Sequence, residues 1–205
     1  IVGQEDVGYT CEREKSKEMN AKYGGEKQAS SGTLMVFINK VAREIKAWLK
    51  ETAPERADRV KIVIFAYQKT QQPPVTWNEE KGRYECVPEV VPEDNVMVRF
   101  APLASVYSKN FLDEECNEAA RTSILGWSDI GAKLSVWNYD VGFGSYEYPL
   151  DNWRVIAENY QIFKRYGVRD ILVQGACDSP ATPFLAMRNY VHSHLLWDIN
   201  ADVEA

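Results

Sequence analysis

Lys133-Leu134-Ser135-Val136-Trp137-Asn138-Tyr139-Asp140 is the stretch that decides the fold. A short apolar run ends abruptly in an aromatic, an amide, a phenol and a carboxylate, as a buried strand does where it leaves its sheet. Three further stretches share this cadence: Val60-Lys61-Ile62-Val63-Ile64-Phe65-Ala66-Tyr67, Asn95-Val96-Met97-Val98-Arg99-Phe100 and Asp170-Ile171-Leu172-Val173-Gln174-Gly175. Helix-like segments alternate with them. Strands alternating with helices mean parallel βα units, and in βα barrels the residues just past each strand's C-terminal end build the active site.

Working outward, 1–9 reads as a further strand that leaves at Gln4-Glu5-Asp6. Residues 10–30 are polar and carry Gly24-Gly25, a long loop or a loose helical excursion. Ser30-Ser31-Gly32-Thr33 supplies N-cap chemistry for a helix. Its apolar positions Leu34, Phe37, Ile38, Val41, Ile45, Trp48 and Leu49 fall on one helical face, and Pro54 closes it. Residues 68–94 form a long connection with Pro73-Pro74, Trp77, Pro88 and Pro92; connections of that length are functional or disordered. Helices are expected over 114–129, over 151–166 with Gly167 as the stop, and from Phe184 to Trp197. Five parallel strands fit either an open doubly wound sheet or somewhat more than half of a barrel. No GxGxxG or GxxxxGK[ST] follows a strand, which points to the barrel.

The 205 residues suffice for one domain with a sizeable core, but a complete eightfold barrel takes about 250. The net charge of -6, without a Lys/Arg stripe, argues against nucleic acid or an anionic membrane surface as partner. No apolar run reaches the roughly 18 residues of a membrane span, so no membrane insertion is expected. The first residue is Ile1, already apolar, as in an excised piece or a processed chain. Cys11, Cys86, Cys116 and Cys177 show no CxxC spacing; free or partly buried thiols are expected, with disulfides open to an exported protein.

Glycoside hydrolysis needs two carboxyl groups flanking the bond, one acid and one base or nucleophile. Glu5 or Asp6 is a candidate for one and Asp140 for the other. Flat rings and amides suited to a sugar stand at or near strand exits: Tyr67, Trp77, Trp137, Asn138, Tyr139 and Gln174, with Tyr107, Phe143, Tyr146 and Tyr148 in exit loops. His192 and His194 lie on different faces of the last helix, so no metal site is expected. No GxSxG elbow, no strand-end Ser/His or Cys/His pair and no strand-end Lys is present, and no cofactor is expected.

An ordered series of residues carries a resemblance. Cys11-Glu12, Ser31-Gly32-Thr33-Leu34 with Phe37-Ile38-Asn39, and Ala66-Tyr67 before Pro73-Pro74 begin it. Asn95-Val96, Val98-Arg99, Gly126-Trp127, Val136-Trp137-Asn138-Tyr139, Gly167-Val168, Gln174-Gly175 and Leu195-Leu196-Trp197-Asp198 complete it. Over almost the whole chain the sequence resembles the bacterial DUF4838 family, a domain of unknown function in large carbohydrate-active proteins. The resemblance implies a glycoside-hydrolase-like (β/α)8 TIM barrel, similar in architecture to α-glucuronidases and β-hexosaminidases. Residues 1–205 would form its C-terminal part, about the last five βα units. It also implies a carbohydrate substrate, accessory domains in the same parent chain, and export to the periplasm or cell surface. Two positions depart from the family pattern: Glu14 and Lys15 where a second Cys is common, and Val173 where an acid often precedes Gln174. The leading expectation is a glycoside hydrolase working through Glu5 or Asp6 and Asp140. The alternative is a non-catalytic carbohydrate-binding barrel, and a third reading is a scaffold domain.

Overall fold

The structure, a computed structural model, describes residues 11–175 and 182–202. The expected first strand, with Glu5 and Asp6, lies outside them, as do Cys177 and Asp178. The elements in chain order are α1 (Glu14–Tyr23), α2 (Ser30–Thr52), β1 (Ile62–Ala66), β2 (Thr76–Asn78), β3 (Arg83–Glu85), β4 (Val96–Phe100), α3 (Glu118–Asp129), β5 (Lys133–Tyr139), α4 (Ile156–Arg165), β6 (Val168–Gln174) and α5 (Leu185–Trp197).

β1, β4, β5 and β6 form one sheet in that order, every pair parallel. The order advances without reversal, and right-handed crossovers then place all connecting elements on one face. Packing agrees. Ile62, Ile64, Val96, Val98 and Leu134 meet Met35, Ile38 and Ala42 of α2 and Trp127 of α3 in one cluster. Phe100 and Val136 meet Ile124 of α3 and Ile162 and Phe163 of α4 in the next. Alternate strand positions, Phe65, Arg99, Ser135, Trp137 and Asp170, therefore point to the opposite face. The register sets Phe65 beside Arg99, Arg99 beside Ser135 and Ser135 beside Asp170. No closed barrel forms among the described residues; β1 and β6 are the sheet's edges.

α2 forms where its spacing predicts but turns a different face inward. Met35, Ile38, Ala42 and Leu49 are buried, and Leu34, Val41 and Ile45 are half-buried. Phe37 and Trp48, expected inside, are exposed because the core contacts fall on the neighbouring stripe. Its serines act differently from the expected N-cap. Ser30 is already helical, and no side chain caps the helix. The hydroxyls of Ser30 and Ser31 instead donate to the carbonyls of Lys69 and Gln72, 2.6 and 2.5 Å away, fastening the helix start to the chain leaving β1. A side chain on Gly32 would collide with the Tyr23 carbonyl, so only glycine lets α1 approach α2 this closely. Gly167 at φ +74° ends α4 as expected, since few other residues accept that backbone.

The connection 68–94 is more ordered than its prolines suggest. It folds a hairpin, β2 against β3, with Trp77 opposite Tyr84. Arg83 donates to the Asp129 carbonyl at 2.5 Å, and the Tyr84 amide donates to the Asp129 carboxylate at 2.8 Å. Both bonds seat the hairpin on the last residue of α3.

Candidate functional site

Four strands deliver their exits to one edge. After β1 comes Tyr67, half-buried, whose hydroxyl accepts from the Gln68 amide at 3.1 Å. After β4 the chain turns at Ala101, whose N–H bonds the Ala66 carbonyl at 3.1 Å. The segment 101–117 is irregular yet pinned. The buried Asn117 side chain accepts from Val106 N–H at 2.8 Å and donates to the carbonyls of Val106 and Asn110 at 3.1 and 2.9 Å. Buried Asn159 of α4 does the same for Phe111 N–H at 2.9 Å. Amides of this kind satisfy loop backbone that no ladder reaches.

Rings run through this edge in a continuous string. Phe163 stacks on Phe111 at 5.6 Å, Phe111 meets Tyr107 at 6.0 Å, and Tyr107 meets Tyr139 at 6.5 Å. Tyr139 then meets Phe143 at 5.6 Å, and Phe143 meets Tyr146 at 6.3 Å. The string starts in the core and reaches the surface at Phe143, which is 45% exposed. The Tyr107 hydroxyl donates to the Pro102 carbonyl at 2.6 Å, and burial pushes its pKa well up, so it serves as a fixed neutral donor.

Below this rim, on the face away from the helices, Trp137 packs against Phe65 at 5.6 Å and donates its indole N–H to Gln174 at 2.7 Å. One rung deeper, Arg99 Nε donates to Ser135 Oγ at 2.8 Å and Nη2 to Asp170 at 3.1 Å, while Ser135 Oγ donates to Asp170 at 2.6 Å. This face thus offers an oriented ring, an amide and a half-exposed carboxylate within one patch.

Asp140 sits elsewhere. Strand alternation sends Trp137 and Tyr139 to the open face, and Asn138 and Asp140 to the helix face. Asp140 is 1% exposed, with Oδ2 3.0 Å from Nε of Arg188 and 3.5 Å from Nε2 of His192, both on α5. Asn152 donates to its other oxygen, and its N–H bonds the Gln174 carbonyl at 2.8 Å. His192 Nδ1 shares a 2.9 Å hydrogen bond with the Tyr160 hydroxyl, and Arg188 Nη1 reaches the Leu150 carbonyl at 3.4 Å. Burial, helped by the Asp140 charge, keeps the Tyr160 hydroxyl protonated. Asn138 is likewise buried among the helices, its Oδ1 without a partner.

The sequence candidates therefore divide into groups. Tyr67, Trp137, Tyr139 and Gln174 converge on the strand-exit end. Asn138 and Asp140 lie under the helix layer, and Glu5 and Asp6 fall outside the described residues. Trp77 lies apart from them on the β2–β3 hairpin, edge-on to Tyr84 at 5.0 Å. The sequence reading passed over Arg99, Ser135 and Asp170, whose link appears only when three strands align. It also passed over Arg188, although a charge four residues before His192, on the same helix face, was a visible signal. His192 faces inward and His194 outward, as their spacing requires. Among the described residues no three His, Cys, Asp or Glu side chains group as metal ligands. No helix among them is long and apolar enough to cross a membrane.

A parallel sheet with helices on one face and a ring-lined exit edge defines an α/β domain of singly wound type. The chain belongs to the family described as Domain of unknown function (DUF4838), which matches it over residues 1–205. No curated protein and no solved structure matches it.

Proposed function

We propose that this domain binds an oligo- or polysaccharide at the strand-exit edge, as part of a glycoside-hydrolase-like (β/α)8 barrel. The observation that carries the reading is the ring string Tyr107–Tyr139–Phe143–Tyr146 beside an indole that Gln174 holds in place. Rings fixed by neighbours present flat apolar faces to sugar C–H groups at little entropic cost, and the amide and Asp170 supply hydroxyl partners. What supports barrel membership is the strand order without reversal, the helices on one face only, and an opposite face with half-buried rings and an ion pair. In barrels that inner face is filled by side chains from every strand.

Binding of a glycan panel, followed by titration calorimetry, tests the reading. Trp137→Ala and Phe143→Ala should each weaken the best ligand by about tenfold, on the scale of one lost aromatic contact. Unchanged affinity in both variants would remove the proposal.

A second reading, hydrolysis, draws on the Arg188–Asp140 pair. The Arg188 Nε stands 3.0 Å from the Asp140 carboxylate. In this reading Asp140 is one carboxyl of the pair and Glu5 or Asp6 the other. At 1% exposed, Asp140 reaches a sugar only if α5 shifts. Turnover of nitrophenyl glycosides by the parent protein, abolished in Glu5→Gln or Asp6→Asn with glycan binding intact, would establish it. Loss of folding without a specific loss of turnover in Asp140→Asn would assign that residue to structure alone.

A further inference from the structure

α5 is turned the unusual way round. Its inward positions are Arg188, His192 and Leu195, whereas Met187, Tyr190, Leu196 and Trp197 are exposed. A surface helix ordinarily buries its apolar stripe. The upper part of its outer face, with the start of α4, walls a groove of about 1070 Å³. The groove is lined by Trp153, Phe184 and Tyr190, with Arg154 beside them. Trp153 and Phe184 meet edge-on at 5.1 Å. Tyr190, 65% exposed, is braced by the His194 ring at 4.2 Å.

Three observations say the groove is a site and not surface texture. Phe184 holds φ +59°, a left-handed backbone that costs a bulky residue energy, and it remains 54% exposed at the groove's edge. Arg154 makes no hydrogen bond or ion pair with the described residues and stands exposed beside those rings. Arg188, which also lines the groove, is fully buried, yet its Nη2 finds no acceptor. Donors left this way are ordinarily satisfied by water or ligand.

We propose that this groove binds a saccharide unit carrying one carboxylate, with Arg154 anchoring the acid and Trp153, Phe184 and Tyr190 receiving the ring face. The proposal rests on the saccharide reading above and specifies a subsite on its helix side. The rings call for a ligand with a flat C–H face, and a guanidinium without a partner among the described residues calls for an anion. Asp202 lines the groove as well and opposes added negative charge, which disfavours a polyphosphate occupant. Arg188 spends its charge on Asp140 beneath the floor, and its spare Nη2 serves a ligand oxygen through an intervening water.

Titration of the chain with methyl glucuronoside and, separately, methyl glucoside, followed by calorimetry and NMR shift mapping, tests this. The acidic sugar should bind about tenfold tighter than the neutral one, the size of one charge-assisted contact. Arg154→Ala should abolish that preference, Arg154→Lys should keep most of it, and Tyr190→Ala should weaken both sugars alike. Shifts should fall on α5 and the start of α4. Equal binding of the two sugars, or a preference that survives Arg154→Ala, overturns the proposal. If neutral glycans bind in a manner sensitive to Trp137 and Phe143 while the glucuronoside leaves α5 unmoved, the subsite fails and the strand-exit reading stands. If no sugar binds anywhere, both fall.

Discussion

α2 and α5 occupy the same helix layer at opposite ends of the sheet and are held by opposite means. α2 buries Met35, Ile38, Ala42 and Leu49, and its polar Asn39 is fully used, donating to the carbonyls of Glu89 and Val91 at 3.0 and 2.8 Å. α5 buries an arginine and a histidine on one carboxylate, while both helices leave aromatic residues outside, Phe37 and Trp48 on α2 and Tyr190 and Trp197 on α5. Apolar burial is non-directional and tolerates small displacements, whereas a buried ion pair specifies one position and penalises every other. The contrast marks α2 as scaffold and α5 as the element whose placement over the exit of β5 is specified.

Breaking the α5 pair should have the largest effect. Arg188→Met removes the guanidinium from the buried Asp140 carboxylate and should cost about 3–5 kcal/mol, measured by urea unfolding. The joint replacement Asp140→Leu with Arg188→Met should recover most of that loss. A single variant as stable as the parent would show that α5 is held by its apolar contacts after all. On the α2 side, Ile38→Ala should cost about 2–5 kcal/mol through the cavity it leaves, with no rescue available from a polar partner.

Thiol chemistry sharpens the comparison. Cys86 packs against the α2 cluster, and burial pushes its thiol up to about 11. The Ser16 hydroxyl, 3.0 Å from Cys11, helps hold that exposed thiol below its ordinary value. Iodoacetamide at pH 8 should therefore modify Cys11 well before Cys86, as peptide mass spectrometry reads. Ile38→Ala should accelerate Cys86, and Arg188→Met should leave it slow; acceleration by both would mean the two helices open together.

The smallest effect concerns Asp94, at the entry to β4, bonded to Lys46 of α2 at 2.5 Å. That hydrogen bond from Lys46 holds the Asp94 carboxyl below its usual range. The folded value being the lower one, its contribution is present above the unfolded pKa and is lost as pH falls through the folded one. Asp94 is largely exposed, so solvent screens the gain. Asp94→Asn should slightly flatten the acid limb of the stability profile, the difference from the parent vanishing only once pH falls below the folded value.

The strands at 62–66, 96–100 and 133–139 and the helix from Ser30 were legible because each is a local pattern: a β-branched run with abrupt polar ends, or apolar residues at helical spacing. The hairpin was not legible, since its two three-residue strands are held by Asp129, far along the chain. Among candidate site residues, the sequence places Trp137, Tyr139 and Gln174 at strand ends, where the structure finds them together, whereas Asp140 joins them in the sequence only by adjacency. Adjacency in a strand is separation in space, because successive side chains leave on opposite faces.

By itself the amino-acid sequence determined the parallel βα order, the family and the supply of rings at the strand exits. Tertiary structure alone decided which groups meet: Arg99 with Ser135 and Asp170, Trp137 with Gln174, and Asp140 with Arg188 and His192. These partners lie 35 to 71 positions apart for the strand contacts, and a pairing at such a distance is set by register and crossover, which no local propensity encodes.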